Sequence, residues 1–171
     1  GNNNTYCQDN EITWINWERD PTEGRLAEFV RELIEVRRSH PILTRGRFLN
    51  GQYNEEAGVR DLTWLNPSGS EMAEANWEDA GARSVGLLLE GRAQVSGVRE
   101  HGGDASLLIL INAYHEGVSF KLPDDEEAAL EWDVLLTTDA HLEKGLSVQG
   151  TEAFVAPPRS ITLLRCGAPN A

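Results

Sequence analysis

Apolar residues recur at helical spacing from residue 20 onward. Asp20 can cap a helix, Pro21 suits the first helical position, and Glu23 completes a pattern like that of a capping box. The apolar positions that follow at i, i+3, i+4, i+7 and i+8 are Leu26, Phe29, Val30, Leu33 and Ile34. Pro41 disfavours helical geometry at the residue before it, so the helix is predicted to end near Ser39. The pattern predicts one amphipathic helix that lies against something larger.

After about Gly46 the apolar pattern becomes that of short strands separated by turn residues. The predicted strands cover residues 63–65, 84–90, 106–113, 118–122, 132–137, 146–149 and 160–165. Residues 106–113 are apolar on both faces and are therefore expected at the centre of a sheet, whereas residues 118–122 alternate and should have one wet face. Seven strands with this punctuation predict an antiparallel β-sandwich, with the boundary before it at residues 41–50.

Composition and charge narrow the possible partners. The 171 residues include 15 Lys or Arg and 28 Asp or Glu, which gives a formal net charge of −13. Nucleic acid and anionic membranes need clustered cations, so neither is an expected partner. The longest apolar run, residues 107–111, is far shorter than the ~20 residues that span a bilayer.

The two ends of the chain carry few processing signals. The sequence begins Gly-Asn-Asn-Asn-Thr-Tyr, without an initiator Met or an apolar signal segment, and we interpret it as cut from a longer chain. The two cysteines, Cys7 and Cys166, lie near opposite ends without metal-type spacing. They are expected to be ordinary thiols in a reducing compartment, with a single disulfide as the alternative.

No common catalytic template occurs in the chain. Nucleophile-elbow, zinc-protease, dinucleotide-binding, Walker and CxxC motifs are all missing from the sequence. The histidines have no ligand-like spacing and are predicted to be surface residues without a metal: His40, His101, His115 and His141. Carboxylates are plentiful, but their context singles out none of them for catalysis.

The first ten residues combine amides, a phenol and a carboxylate with almost nothing apolar. They include Asn2, Asn3, Asn4, Tyr6, Gln8, Asp9 and Asn10. Amides donate to and accept from vicinal hydroxyls, and an aromatic face can stack on a sugar ring, so this segment is suited to carbohydrate. The alternative is a polar loop that hydrogen-bonds to itself. Trp14 and Trp17 could extend an aromatic platform, although a core position is favoured for at least one of them.

Several longer segments resemble bacterial glycogen debranching enzymes of the isoamylase type, in glycoside hydrolase family 13. Residues 1–17 resemble the segment after the last strand of the catalytic barrel in that family. The similarity continues through residues 33–43, through Arg-Phe-Leu-Asn-Gly at 47–51, through Asp-Leu-Thr-Trp-Leu-Asn-Pro-Ser-Gly-Ser-Glu-Met at 61–72 with Trp77, and through Leu-Ile-Asn-Ala at 110–113. It is loose at residues 92–104 and from about 139 to 154.

The resemblance implies a (β/α)8 catalytic barrel followed by a C-terminal antiparallel β-sandwich. Residues 1–45 would be the last loop and helix of the barrel, and residues 46–171 would be the sandwich. The family's Asp nucleophile, Glu acid/base and second Asp would all lie upstream, so no residue here inherits a catalytic role. A role in binding substrate carries over to the first loop, with Asn3 and Tyr6 as the main candidates and Asn2, Asn4, Gln8 and Asp9 as secondary ones.

The resemblance also implies a function for the parent protein. It would be a cytoplasmic, retaining hydrolase that cleaves α-1,6 branch linkages in glycogen or limit dextrin and needs no cofactor. The isolated chain is expected to be inactive. The alternatives are a stand-alone α-glucan-binding module and a purely structural domain. A binding module would expose Trp64, Trp77 or Trp132 in a row, whereas the strand patterns around Trp64 and Trp132 favour the core.

Overall fold

The computed structural model describes most of the chain as two compact units. The described residues are 6–14, 17, 21–46, 48–55, 58–93, 105–125 and 130–167, without the side chains of residues 21–23. Contacts divide the chain into a unit of residues 1–35 and a unit of residues 36–171. Asp20 and His101, which were assigned roles from the sequence, lie outside the described residues.

The first helix confirms the predicted boundaries and leaves its apolar side uncovered. Helix α1 covers Pro21–Ser39, and the backbone at His40 is extended, with φ −118° and ψ 100°. The exposed fractions are 66% for Leu26, 45% for Val30, 42% for Leu33 and 45% for Ile34. The part of α1 in the first unit is therefore amphipathic, with an apolar stripe that faces solvent.

All seven predicted strands are present, together with three that the sequence pattern did not indicate. The strands are β1 (Tyr53–Asn54), β2 (Val59–Arg60), β3 (Leu62–Leu65), β4 (Ser84–Leu89), β5 (Ser106–Asn112), β6 (Val118–Lys121), β7 (Glu131–Thr137), β8 (Ser147–Gln149), β9 (Ala153–Ala156) and β10 (Ser160–Cys166). A short helix α2 (Glu74–Trp77) lies between β3 and β4. The missed strands β1, β2 and β9 have two to four residues and are defined by their pairing, β1 with β2 and β9 with β6.

The strands form an antiparallel sandwich, as predicted. The large sheet has the order β3-β4-β5-β10-β7-β8, and β6 pairs with β9 in a second sheet of two strands. Strand β5 lies between β4 and β10, which confirms its predicted central position. Strand β6 buries Phe120 and exposes its neighbours Ser119 and Lys121, as its alternation predicted.

The main core lies on the inner face of the large sheet. Its buried members are Leu65, Leu108, Leu110, Phe120, Leu122, Trp132, Val134, Phe154, Ala156 and Leu164. The indole Nε1 of Trp132 donates to the carbonyl oxygen of Pro123 at 2.8 Å, which satisfies the one polar atom of this buried side chain. The predicted core position of Trp132 is confirmed.

Two predictions of burial were wrong. Trp64 is 37% exposed, because its side chain is on the outer face of the large sheet, where its ring meets Trp77 edge-on at 5.6 Å. His40 is only 4% exposed, although it was predicted to be a surface residue. Its Nδ1 is 2.8 Å from the carbonyl oxygen of Val36, so the imidazole satisfies a carbonyl at the end of α1.

The segment that leads into the sandwich is held by Asp61. Its Oδ1 accepts from the backbone N–H of Gly51 at 2.9 Å, and its Oδ2 accepts from that of Asn50 at 3.3 Å. Arg45 is 3.6 Å from the same carboxylate. The buried Asp61 therefore holds Arg45, Asn50 and Gly51 near the start of β3.

The carboxylate of Asp133 gives the sandwich a predictable response to acid. Ser147 and Arg165 both donate to it, with Arg165 Nη2 at 2.8 Å from Oδ2, and these two hydrogen bonds lower the pKa of Asp133. Because the pKa is lower in the folded state, the ionised carboxylate stabilises the fold at pH values above its unfolded pKa of about 3.9. This stabilisation is lost as the pH falls through the folded pKa.

We expect Asp133→Asn to lower the free energy of unfolding at pH 7 by less than about 1 kcal/mol, because the ion pair is partly exposed. The difference from wild type should shrink as the pH falls from 7 to below the unfolded value of about 3.9, because the native carboxyl then becomes protonated as well. Urea unfolding of both proteins across this pH range measures the effect. A deficit that grows as the pH falls would show that the carboxylate is not stabilising.

Candidate functional site

The described part of the candidate carbohydrate loop starts with two residues in the left-handed region. Tyr6 has φ 47° and Cys7 has φ 57°, and neither is a glycine. Tyr6 is 85% exposed, so its ring and hydroxyl are free to meet a ligand. Cys7 is also exposed, and both cysteines are free thiols. The strained turn presents the phenol to solvent.

The remainder of the loop is held by its own side chains. The Oγ1 of Thr13 donates to the carbonyl oxygen of Gln8 at 2.7 Å, and the Oδ1 of Asn10 accepts from the N–H of Ile12 at 3.0 Å. The Oδ1 of Asp9 accepts from the indole Nε1 of Trp14 at 2.8 Å. Within the described residues, some side chains therefore hold the loop in shape, whereas the side chain of Tyr6 is exposed to solvent.

The six predicted substrate-binding residues have different outcomes. Tyr6 and Gln8 have exposed side chains, and Asp9 is used to hold Trp14. Asn2, Asn3 and Asn4 lie outside the described residues. The substrate role of all six stays a prediction.

The expectation that Trp14 or Trp17 lies in a core was wrong. Trp14 is 60% exposed and Trp17 is 74% exposed. The hydrogen bond to Asp9 fixes the indole of Trp14 at the surface of the loop. The first unit therefore presents Tyr6, Trp14 and Trp17 as exposed aromatic side chains, which is the chemistry that stacks on sugars.

A buried carboxylate lies at the end of the sandwich where β4 ends. Glu90 is 8% exposed, and its Oε1 accepts from Ser106 Oγ at 2.7 Å and from Arg92 Nε at 3.0 Å. The hydrogen bond to Glu90 raises the pKa of Arg92, and burial raises the pKa of the nearby Cys166 thiol. These groups are satisfied or neutral at pH 7, which suits a structural network better than a nucleophile.

The opposite end of the sandwich contains an open polar cleft, which we call the β4-start cleft. Its volume is about 480 Å³. It is lined by Asn66, Pro67, Met72, Asn76, Asp79, Gly81, Ala82, Arg83, Ser84, Tyr114 and Val118. No pattern in the sequence indicates this cleft, because its residues come from three separate loops and from the elements beside them.

The described residues contain neither a candidate metal site nor a candidate membrane-spanning helix. Across those ranges, the His, Cys, Asp and Glu side chains form no group of three that could hold a metal ion. Within the same part of the chain, no helix has the length and apolar character needed to cross a bilayer.

Comparison with known proteins places the chain in a family. The family model described as "Isoamylase, C-terminal" matches residues 61–160. A protein of Mycobacterium tuberculosis named "Glycogen operon protein GlgX homolog" is 35% identical over 168 residues, which cover 96% of this chain and 23% of that protein.

Two further relatives are similar over shorter stretches. Proteins named "Glycogen debranching enzyme" are 36% identical over 72% of this chain in Pectobacterium atrosepticum and 40% identical over 54% in Cronobacter sakazakii. These matches cover 15% and 13% of the two relatives, so the chain spans less than a quarter of the length of the proteins that it resembles. Because the family model matches more than half of the residues, the chain belongs to the isoamylase C-terminal family.

Proposed function

We propose that this chain is the C-terminal part of a cytoplasmic glycogen debranching hydrolase. The whole protein would cleave α-1,6-glucosidic branch linkages in glycogen or limit dextrin, with retention of configuration and without a cofactor. The observation that carries the proposal is the family match, together with relatives named as debranching enzymes of which the match covers only 15% and 13%.

We also propose a division of the chain into residues 1–45, the last loop and helix of a (β/α)8 barrel, and residues 46–171, the sandwich. The exposed apolar stripe of α1 supports this division. An upstream barrel that covered Leu26, Val30 and Ile34 would remove their apolar surface from water, which is favourable.

The outer face of the large sheet offers a second apolar surface. Residues directly opposite each other in an antiparallel pair lie on one face. Two rows of such residues cross the outer face, Trp64-Leu87-Ile109-Leu163 and Val85-Ile111-Ile161. Ile161 is 47% exposed, whereas Leu89 and Leu107 on the same face are buried with Ile42. This partly covered sheet is consistent with a domain that packs against further protein.

The chemistry would come from the upstream barrel. In retaining glycosidases two carboxyl groups about 5 Å apart act as nucleophile and acid/base at the scissile bond. The proposal assigns neither role to a residue of this chain. Its contribution would be the polar loop, since active sites of such barrels are built from loops at the C-terminal ends of the strands.

The proposal is tested by comparing the isolated chain with a longer protein that contains it. We expect the longer protein to release linear maltooligosaccharides from phosphorylase-limit dextrin, whereas the 171-residue chain releases none above a heat-killed control. Linear maltoheptaose, which contains no branch, serves as the control substrate. Hydrolysis by the isolated chain, or cleavage of the linear control alone by the longer protein, would overturn the proposal.

The substrate role of the loop gives a separate prediction for Tyr6→Ala in the longer protein. We expect KM for limit dextrin to rise about two- to tenfold with little change in kcat, because one sugar-stacking contact is lost. Tyr53→Ala is the matched control, since Tyr53 is also an exposed tyrosine, at 59%, but lies in the sandwich. An unchanged KM in the Tyr6 variant would remove the loop from the substrate site.

The binding-module alternative loses its main support. It required a row of exposed tryptophans, but Trp132 is 1% exposed and the rings of Trp64 and Trp77 are inclined at 80° to each other. These three side chains therefore do not make a flat platform for a glucan chain.

A further inference from the structure

The β4-start cleft is built by tight turns. The segment after β3 closes on itself, because the N–H of Asn66 donates to the carbonyl of Ser70 and the N–H of Gly69 donates to the carbonyl of Asn66, both at 2.9 Å. Gly69 has φ +82°, and a Cβ at this position would lie 3.0 Å from the carbonyl oxygen of Lys121. Only glycine fits this turn against β6 without strain, so this wall of the cleft is fixed in position.

Two asparagines of the cleft have their amide oxygens engaged and their amide nitrogens free. The Oδ1 of Asn66 accepts from the backbone N–H of Ser68 at 2.9 Å and of Ser70 at 3.3 Å. The Oδ1 of Asn76 accepts from the N–H of Ala73 at 2.9 Å. Because backbone N–H groups are donors, the oxygen of each amide must face them. Each Nδ2 is then a pre-oriented donor with no protein acceptor among the described residues.

The charges of the cleft balance. Asp79 uses its Oδ1 to accept from the N–H of Gly81 at 2.7 Å, which leaves its Oδ2 as an acceptor. Arg83 lines the same cleft and forms no ion pair in the part of the chain that the structure describes. One cation and one anion in a chain of net charge −13 make a locally neutral site, which favours an uncharged polar ligand over a phosphate or a metal ion.

The far wall is the aromatic side chain of Tyr114, whose backbone is held by a buried side chain. The backbone N–H of Tyr114 donates to Oδ1 of the buried Asn112 at 2.9 Å, and the ring of Tyr114 lies 4.2 Å from that of His115. Pro67, Met72 and Val118 add apolar surface. The cleft thus combines fixed amide donors, an acceptor, a guanidinium and an aromatic wall in a volume within the ~300–1,000 Å³ of small-ligand sites.

We propose that the β4-start cleft binds a short α-glucan segment, as a second carbohydrate site in the sandwich itself. The choice of α-glucan rests on the proposed function. The Nδ2 groups of Asn66 and Asn76 and the guanidinium of Arg83 donate to sugar hydroxyls, Oδ2 of Asp79 accepts from one, and Tyr114 packs on a ring face. Such a site would keep a branched polymer close to the enzyme between cleavage events.

The test uses the 171-residue chain and maltotetraose, with side-chain NH₂ resonances followed by two-dimensional NMR. We expect saturable shifts of the Asn66 and Asn76 NH₂ signals. Asn66→Asp and Asn76→Asp each retain an oxygen for the turn and remove the free donor, so each should weaken binding about tenfold. Asn50→Asp is the matched control, because Asn50 forms the same kind of turn with Gln52 outside the cleft, and its affinity should equal that of the wild type.

Three results at the cleft would overturn the proposal. They are the absence of saturable shifts in the cleft, unchanged affinity in both aspartate variants, and stronger shifts with inorganic phosphate than with maltotetraose. Shifts confined to the side-chain NH₂ of Gln8 would assign binding to the first loop instead and would also overturn it. None of these results depends on hydrolysis, so the debranching assay of the longer protein separates failure of this site from failure of the proposed function.

Discussion

Replacing Trp132 with alanine is expected to lower the free energy of unfolding by about 3–5 kcal/mol. The side chain is 1% exposed and belongs to the core between the two sheets, so the variant loses the largest buried ring and leaves a cavity. It also leaves the carbonyl of Pro123 without the indole donor. Urea unfolding, followed by circular dichroism of the 171-residue chain, measures the loss.

Trp17→Ala is the matched control, because the same ring is removed from a position that is 74% exposed. Its effect should stay within about 0.5 kcal/mol. A loss of less than about 1 kcal/mol in the Trp132 variant would mean that the two sheets do not enclose this residue as described.

Removal of the amide of Asn112 should be almost as costly. Its Nδ2 is within hydrogen-bond distance of three carbonyl oxygens, at 2.9 Å from Glu116, 3.1 Å from Ala156 and 2.9 Å from Pro157. We expect Asn112→Ala to lower the free energy of unfolding by about 3 kcal/mol, since each buried partner that is left unsatisfied carries a cost.

Asn112→Asp tests the same contacts by replacing the amide donor with a negatively charged acceptor. A carboxylate of nearly the same shape would face the same carbonyl oxygens, so the variant should be no more stable at pH 7 than Asn112→Ala. Its folded pKa would lie above the unfolded value, so the deficit should shrink as the pH falls and the protonated acid regains a donor. The exposed Asn50→Asp should change stability by less than about 0.5 kcal/mol. A deficit independent of pH would contradict the described orientation of the amide.

The sequence was sufficient for the parts of the fold that depend on local pattern. Pro41 fixed the end of α1, and alternation with turn residues located strands such as Ser106–Asn112 and Val118–Lys121. Strand β9 was not predicted, because its four residues form a strand by pairing with β6, which is distant along the chain. The hydrogen bonds of Asn112 to Ala156 and Pro157 are non-local in the same way.

Side-chain environments at the edges of elements were harder to predict. His40 is buried because it bonds to a carbonyl at the end of α1, which the spacing of histidines does not reveal. Trp64 lies in an apolar strand pattern, but its side chain is on the outer face of an edge strand, where burial depends on what covers the sheet. The cleft around Asn66 and Tyr114 depends on three loops that meet only in the folded sandwich.

The size of the endogenous protein tests the central claim most directly. An antibody raised against this chain should detect, in extracts of the source cells, a protein several times larger than 18.9 kDa. That size would leave room for an upstream barrel of at least ~200 residues, as the proposed debranching hydrolase requires. A single band near 19 kDa would contradict the claim, because the chain would then act without the catalytic carboxylates that the proposed hydrolysis needs.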